Sequence, residues 1–173
     1  MQIKLFFVVI ALIICLSAQS DECKVDDNIM YGIATIEKNK HTPVGYPFLI
    51  SLNSAKDQKS IRANDELSYL FLDVRTIDCV NQKNCVSVLK SLKAKGIKNL
   101  DLGAFQICQL FWEMPEADYF DIKKSYLKAC SIVMSHNKKK WSWKNIAKYH
   151  SKTKKHNNRY KKELLAAVKK NLM

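Results

Sequence analysis

The sequence predicts a mainly α, α+β protein, one helical domain carrying a small irregular or stranded insert. Three observations lead there. Apolar residues recur at helical spacing through most of the chain. The chain-breaking residues Pro43, Gly45 and Pro47 gather in one loop, around a short extended piece from Tyr46 to Asn53. The length of 173 residues, 47% apolar and 26% charged, suits one domain rather than two and excludes a disordered or collagen-like chain.

Lys4 is followed by an unbroken apolar run from Leu5 to Leu16, then Ser17-Ala18-Gln19-Ser20. A charged start, an apolar stretch and a small-x-small site at Ala18 and Ser20 mark residues 1–20 as an expected signal peptide, with the mature domain over 21–173. The run is short for a bilayer span, and no second one follows. The mature chain is therefore expected to lack a transmembrane segment and to be periplasmic or secreted.

Asp26-Asp27 opens a run of Ile29, Met30, Ile33, Ala34 and Ile36 that closes at Glu37. Carboxylates at the start and helical spacing predict a buried helix. The stretch 65–77, with Leu67, Leu70, Phe71 and Val74, fits strand and helix equally. Val86 to Ala94 has helical spacing and stops at Gly96, and Phe105 to Trp112 is an apolar run blocked by Pro115. Tyr119–Met134, Trp143–Tyr149 and Arg159–Leu172 read as further helices. The last puts Tyr160, Leu164, Leu165 and Val168 on one face and lysines on the other.

Beyond residue 20 the cysteines are Cys23, Cys79, Cys85, Cys108 and Cys130. In an oxidising compartment they read as two disulfides and a leftover thiol. Cys79–Cys85 can clip one loop and Cys108–Cys130 can tie neighbouring segments, leaving Cys23 over, although spacing alone leaves the pairing open. There is no Cys-x2-Cys pair, and His41, His136, His150 and His156 show no ligand spacing, so no metal and no cofactor are expected. The formal charge of +13 is concentrated at one end. Residues 138–173 hold thirteen Lys and Arg against Glu163 alone, whereas residues 21–137 balance to zero. A basic C-terminal helix of this kind attracts anionic lipid, nucleic acid or a wall polymer, or simply forms a solvated surface. With 26 lysines to 3 arginines, bidentate readout is poorly served and no specific nucleic-acid partner is expected.

The chemistry centres on Glu37. A carboxyl closing an apolar helix is desolvated, which moves its pKa toward neutrality and suits it to general acid work. Three segments surround it in sequence order: Ile33-Ala34-Thr35-Ile36-Glu37, with Tyr46-Pro47-Phe48 and Asn53 downstream; Asn99-Leu100-Asp101-Leu102-Gly103-Ala104-Phe105-Gln106-Ile107; and Trp143-Lys144-Asn145-Ile146-Ala147-Lys148-Tyr149-His150-Ser151. Together they resemble the soluble lytic transglycosylase family of the lysozyme-like superfamily, and in particular its small exported members that accompany secretion machines. The resemblance runs from about Ile29 to Tyr160. It departs from the family at Lys38, where a serine usually follows the glutamate, and at His150, where an asparagine usually follows the tyrosine.

The resemblance implies a lysozyme-like fold and cleavage of the bond between N-acetylmuramic acid and N-acetylglucosamine in peptidoglycan glycan strands. Glu37 would protonate the leaving oxygen and then deprotonate the muramoyl C6 hydroxyl, which closes a 1,6-anhydro ring. An intramolecular hydroxyl replaces water, so one carboxylate suffices. Phe48, Asn53, Gly103, Phe105, Gln106, Tyr149 and His150 would line the groove, with Gly103 allowing close approach of the glycan. Secretion-system components are implied as partners. Structural readings stand beside these: Gln106 as a capping amide, Tyr149 as a packing ring, Asp101 as a turn former and His150 as a neutral hydrogen-bonder. Of Trp112, Trp141 and Trp143, at least one is expected in the core and the others could stack on sugars. The insert at about 54–96 is expected to lie along the groove or to bind a partner. A non-catalytic glycan-binding or scaffolding relative, and a cationic protein acting on membrane or nucleic acid, are the alternatives.

Overall fold

Asp26 starts the first helix by accepting the Asn28 N–H on its side chain at 2.8 Å, and α1 runs Asp27–Glu37. The computed structural model describes residues 22–64, 66–67 and 70–172, so the expected signal peptide lies outside the described residues. Ile29, Met30, Ile33 and Ala34 bury the inner face of α1. Gly32 shares that face, and a Cβ there would come within 2.8 Å of Val168 Cγ2 and 3.0 Å of Leu164 Cδ1. Glycine thus lets the last helix, α6 (Lys154–Asn171), lie close along α1.

A four-stranded antiparallel sheet stands beside this pair, in the order β2-β1-β3-β4. Its strands are β1 Leu49–Leu52, β2 Thr76–Asp78, β3 Leu100–Leu102 and β4 Ile107–Cys108. The register aligns Ser51 with Thr76 on one side and Asp101 on the other, and Asp101 with Cys108. Alternation along each strand then separates two faces. Ile50, Leu52, Ile77, Leu100, Leu102 and Ile107 enter the core, and the row Thr76, Ser51, Asp101, Cys108 lies on the other face.

The segment expected as an insert, at about 54–96, combines two helices with one strand among its described residues, the second helix covering the one expected over Val86–Ala94. It holds α2 (Ala55–Asn64), β2 and α3 (Gln82–Ala94), with the Asn81 side chain capping α3 at the Asn84 N–H. Leu89 and Leu92 of α3 are fully buried, so this region helps to build the core. Phe105–Trp112 forms a turn and β4, because Gly103 and Gln106 take positive φ there. The expected helix from Tyr119 is divided: a 3-10 turn over Glu116–Phe120 ends at Asp121, whose side chain caps α4 (Ile122–Asn137). The short α5 (Trp143–Ile146) and a 3-10 turn over Ala147–Tyr149 lead into α6. No helix of the described residues is long and apolar enough to cross a membrane.

Cys79 is bonded to Cys85. The pairing of Cys108 with Cys130 is corrected: Cys130 is bonded to Cys23, and Cys108 is free. The chain entering α1 packs on α4, bringing Cys23 to Cys130, whereas the Cys108 thiol lies beside the Asp101 carboxyl across the sheet. Joining residues 107 apart removes much freedom from the unfolded chain. Changing Cys23 and Cys130 together to Ser should therefore lower stability by roughly 3–5 kcal/mol in denaturant unfolding. Alkylation of the oxidised protein should label Cys108 and leave Cys23, Cys79, Cys85 and Cys130 unmodified; finding Cys108 in a disulfide would contradict the pairing.

Candidate active site

Glu37 is the last residue of α1, where the helix meets the polar face of the sheet. The chain beyond it is fixed by Asn39. That side chain donates to Asp73 Oδ2 at 2.6 Å and accepts the His41 N–H at 2.9 Å. Asp73 in turn accepts the N–H groups of Arg75 and Thr76, each at 2.8 Å. Burial alone would raise the Asp73 pKa, but these hydrogen bonds prevail and hold it below the usual carboxylate range.

A cleft passes the Glu37 carboxyl on both sides. One lobe of about 300 Å³ lies against Arg75, Thr76, Arg159, Tyr160 and Glu163. The other, about 940 Å³, lies against Asn53, Cys108, Trp112, His136, Tyr149 and Lys148. Glu37, Asp101, Gln106 and His150 line both lobes and form their junction.

The Glu37 side chain is only 13% exposed. Burial pushes its pKa up to about 8; the nearby Asp101 and Glu163 charges add to the rise, and the Tyr160 hydroxyl and Arg75 oppose it. Near neutral pH the carboxyl therefore holds its proton. Asp101 is also raised, first by burial, although Asn53 and the Arg75 guanidinium at 3.4 Å favour its charged form. His150 Nδ1 stands 3.8 Å from Glu37 Oε1. Burial, followed by the Arg159 charge, lowers the imidazole pKa, so this contact joins two neutral groups near pH 7.

Of the residues expected in the groove, Glu37, Asn53, Gln106, Tyr149 and His150 line the cleft. Phe48, Gly103 and Phe105 do not. The Phe48 ring packs edge-on against Tyr46 and its carbonyl accepts the Cys79 N–H. Phe105 is buried against Tyr126. Gly103 takes φ +74° and passes tight under the Tyr119 carbonyl, so its missing side chain serves the turn, not a glycan. Tyr149 reaches that turn by donating to the Phe105 carbonyl at 2.6 Å. Gln106, at φ +46°, closes the turn by donating both its backbone N–H and its Nε2 to the Gly103 carbonyl. Asp101, expected in a turn, sits in β3 and faces the cleft. Trp112 lines the larger lobe, Trp143 packs on the core and Trp141 is half-exposed.

Tyr160 is the site residue that apolar periodicity conceals. It lies in register with Leu164 and Val168 on the buried face of α6, yet its ring stacks on His150 at 4.8 Å and 4° and its hydroxyl is aimed at Glu37. That buried hydroxyl has no hydrogen bond of good geometry among the described residues. Because it favours the charged form of Glu37, Tyr160→Phe should raise the Glu37 pKa further, read by carbon-13 NMR titration of the carboxyl. Tyr149→Phe, whose hydroxyl is committed to Phe105, should shift it less. An unchanged titration in Tyr160→Phe would contradict this placement.

No protein family, curated protein or solved structure matches the chain.

Proposed function

We propose that the protein is an exported lytic transglycosylase of the lysozyme-like class, cleaving the bond between N-acetylmuramic acid and N-acetylglucosamine. The observation that carries this is Glu37: a carboxyl protonated near neutral pH at the junction of two lobes, where a polymer can cross it on both sides. A protonated Glu37 gives its proton to the glycosidic oxygen as that bond breaks. The carboxylate then takes the proton of the muramoyl C6 hydroxyl as this oxygen bonds the anomeric carbon, and Glu37 ends protonated again. The His150 imidazole stands 3.8 Å from the carboxyl, Tyr160 stacks on it with its hydroxyl aimed at Glu37, and Asn53 offers an amide to the acetamido groups. The two disulfides suit an oxidising compartment outside the cytoplasm. The role implied by the resemblance is to open the wall locally for a secretion or conjugation machine.

Asp101 supports a second reading, an ordinary hydrolytic muramidase. It faces the same junction from the sheet, where a second carboxylate would stabilise the glycosyl cation or direct water. Digestion of purified peptidoglycan tests both readings. Soluble fragments are expected from the unsubstituted protein, and no release from folded protein would overturn the enzyme. Asp101→Asn should keep most of the rate of a transglycosylase, whereas a hydrolase should lose about 100-fold or more.

A further inference from the structure

The basic end of the chain forms one surface, apart from the cleft. Of its thirteen Lys and Arg, from Lys138 onward, only Arg159 has an ion-pair partner among the described residues, Glu163, 3.8 Å away on the same helix. Asn157, Tyr160 and Leu164 make the buried face of α6. Lys155, Lys162 and Lys169, each seven residues from the next, form an exposed stripe on the opposite face. Leu165 stands beside that stripe, three residues after Lys162 and four before Lys169, and Leu172 follows Lys169 by three; both are exposed. A second basic group adjoins the start of α6. Lys138, Lys139, Lys140 and Lys144 are exposed around the half-exposed Trp141. Asn145 Nδ2 donates to the Lys140 carbonyl at 2.7 Å, and Asn157 Nδ2 donates to the Lys144 carbonyl at 3.1 Å. These bonds hold the loop and α5 against the first turns of α6.

We infer that this face docks the protein on a phospholipid bilayer with anionic headgroups. Charge alone would suit any polyanion, but Trp141, Leu165 and Leu172 stand exposed among the lysines. An anionic polymer in water offers charge without hydrocarbon to cover them. A bilayer supplies both, headgroup phosphates for the ammonium groups and the edge of the hydrocarbon for the indole and the two leucines. Lysine fits such a boundary, because its aliphatic stem lies along apolar surface while its charge stays among the headgroups. Tyr160, whose hydroxyl is aimed at Glu37, lies on the other face of α6, so docking by the stripe leaves Glu37 turned away from the lipid. This surface is independent of the proposed activity, and its test needs no turnover.

Sedimentation with lipid vesicles tests the inference, using residues 21–173 so that the apolar run at 5–16 adds nothing. The protein should bind at least about tenfold more tightly to phosphatidylcholine vesicles containing one-third phosphatidylglycerol than to phosphatidylcholine alone. Lys155→Gln, Lys162→Gln and Lys169→Gln combined, at exposed positions outside the ion pairs, should weaken that binding about tenfold or more, with thermal melting showing the fold retained. Tryptophan emission should shift to the blue on the anionic vesicles, and Trp141→Phe should remove the shift. Equal binding to both kinds of vesicle, undiminished binding by the triple variant, or no shift attributable to Trp141 would each overturn the inference. Tighter binding to duplex DNA than to the anionic vesicles at equal salt would also overturn it, assigning the face to a polymer in water. Failure to cleave peptidoglycan would overturn the proposed activity and leave this face standing.

Discussion

Replacing Glu37 by Gln is expected to abolish glycan cleavage while making the folded protein more stable at neutral pH. Both effects have one cause. Burial holds the Glu37 pKa at about 8 against its ordinary 4.5, so at pH 7 the folded protein keeps a proton that the unfolded chain has lost. The sign follows. Below pH 4.5 both states are protonated and the carboxyl carries no penalty; stability then falls as the pH rises through the interval up to about 8. At pH 7 the cost is up to about 3 kcal/mol, and a neutral amide of similar shape avoids it. The rate should drop by about a thousandfold or more, since Gln can neither give nor take the proton. Denaturant midpoints at pH 5 and pH 7 check the stability, and fragment release checks the rate. A Glu37→Gln protein that is less stable than the parent at pH 7, or still active, would contradict the role assigned to this carboxyl. For the parent, activity should decline on the alkaline side as Glu37 loses its proton near pH 8.

Gly103→Ala is expected to damage the fold more than any change on the cleft surface. The residue has φ +74°, and a Cβ would press into the Tyr119 carbonyl oxygen, a backbone atom that no rotamer change can move. Tyr119 is itself pinned, with its hydroxyl donating to the Trp112 carbonyl and accepting the Met114 N–H. Relief must come from the turn over residues 103–106, which carries Gln106 and is held by Tyr149. The loss should be roughly 3–5 kcal/mol, from positive-φ strain combined with steric overlap. Gly96 makes the control. It also has positive φ, at +78°, but nothing lies within 4 Å of its would-be Cβ, so Gly96→Ala should cost only about 1–2 kcal/mol. Thermal melts of the two variants give the comparison, and equal losses would contradict the steric account.

Much of the helical frame is written in the sequence. Asp26 as a cap and the periodic Ile29, Met30, Ile33 and Ala34 give α1 with its end at Glu37, because burial and capping are local signals. The sheet is harder to see. β1 lies within the extended piece expected over Tyr46–Asn53, but the three alternating residues Leu100-Asp101-Leu102 of β3 do not stand out from helical neighbours. Their meaning comes from register, which sets Asp101 beside Ser51 and Cys108 although the chain separates them widely. Cys23 illustrates the same limit, since only the packing of α1 on α4 selects its partner. In the cleft, Glu37 is legible as a desolvated helix end, and Asn53, Gln106, Tyr149 and His150 lie around it. Phe48, Gly103 and Phe105 are groove residues only by the resemblance, and in the fold they support the turn and sheet from behind. Tyr160 is hidden for the opposite reason. Its hydroxyl is one polar atom on a face otherwise read as apolar, and its partners His150 and Glu37 come from distant segments.

The most direct measurement is the mass spectrum of fragments released from purified peptidoglycan by the unsubstituted protein, with Glu37→Gln as control. Transglycosylation by Glu37 predicts 1,6-anhydromuropeptides, one water lighter than hydrolysed fragments, and none from the control. Fragments that all end in a free reducing muramic acid, or equal release by Glu37→Gln, would contradict it.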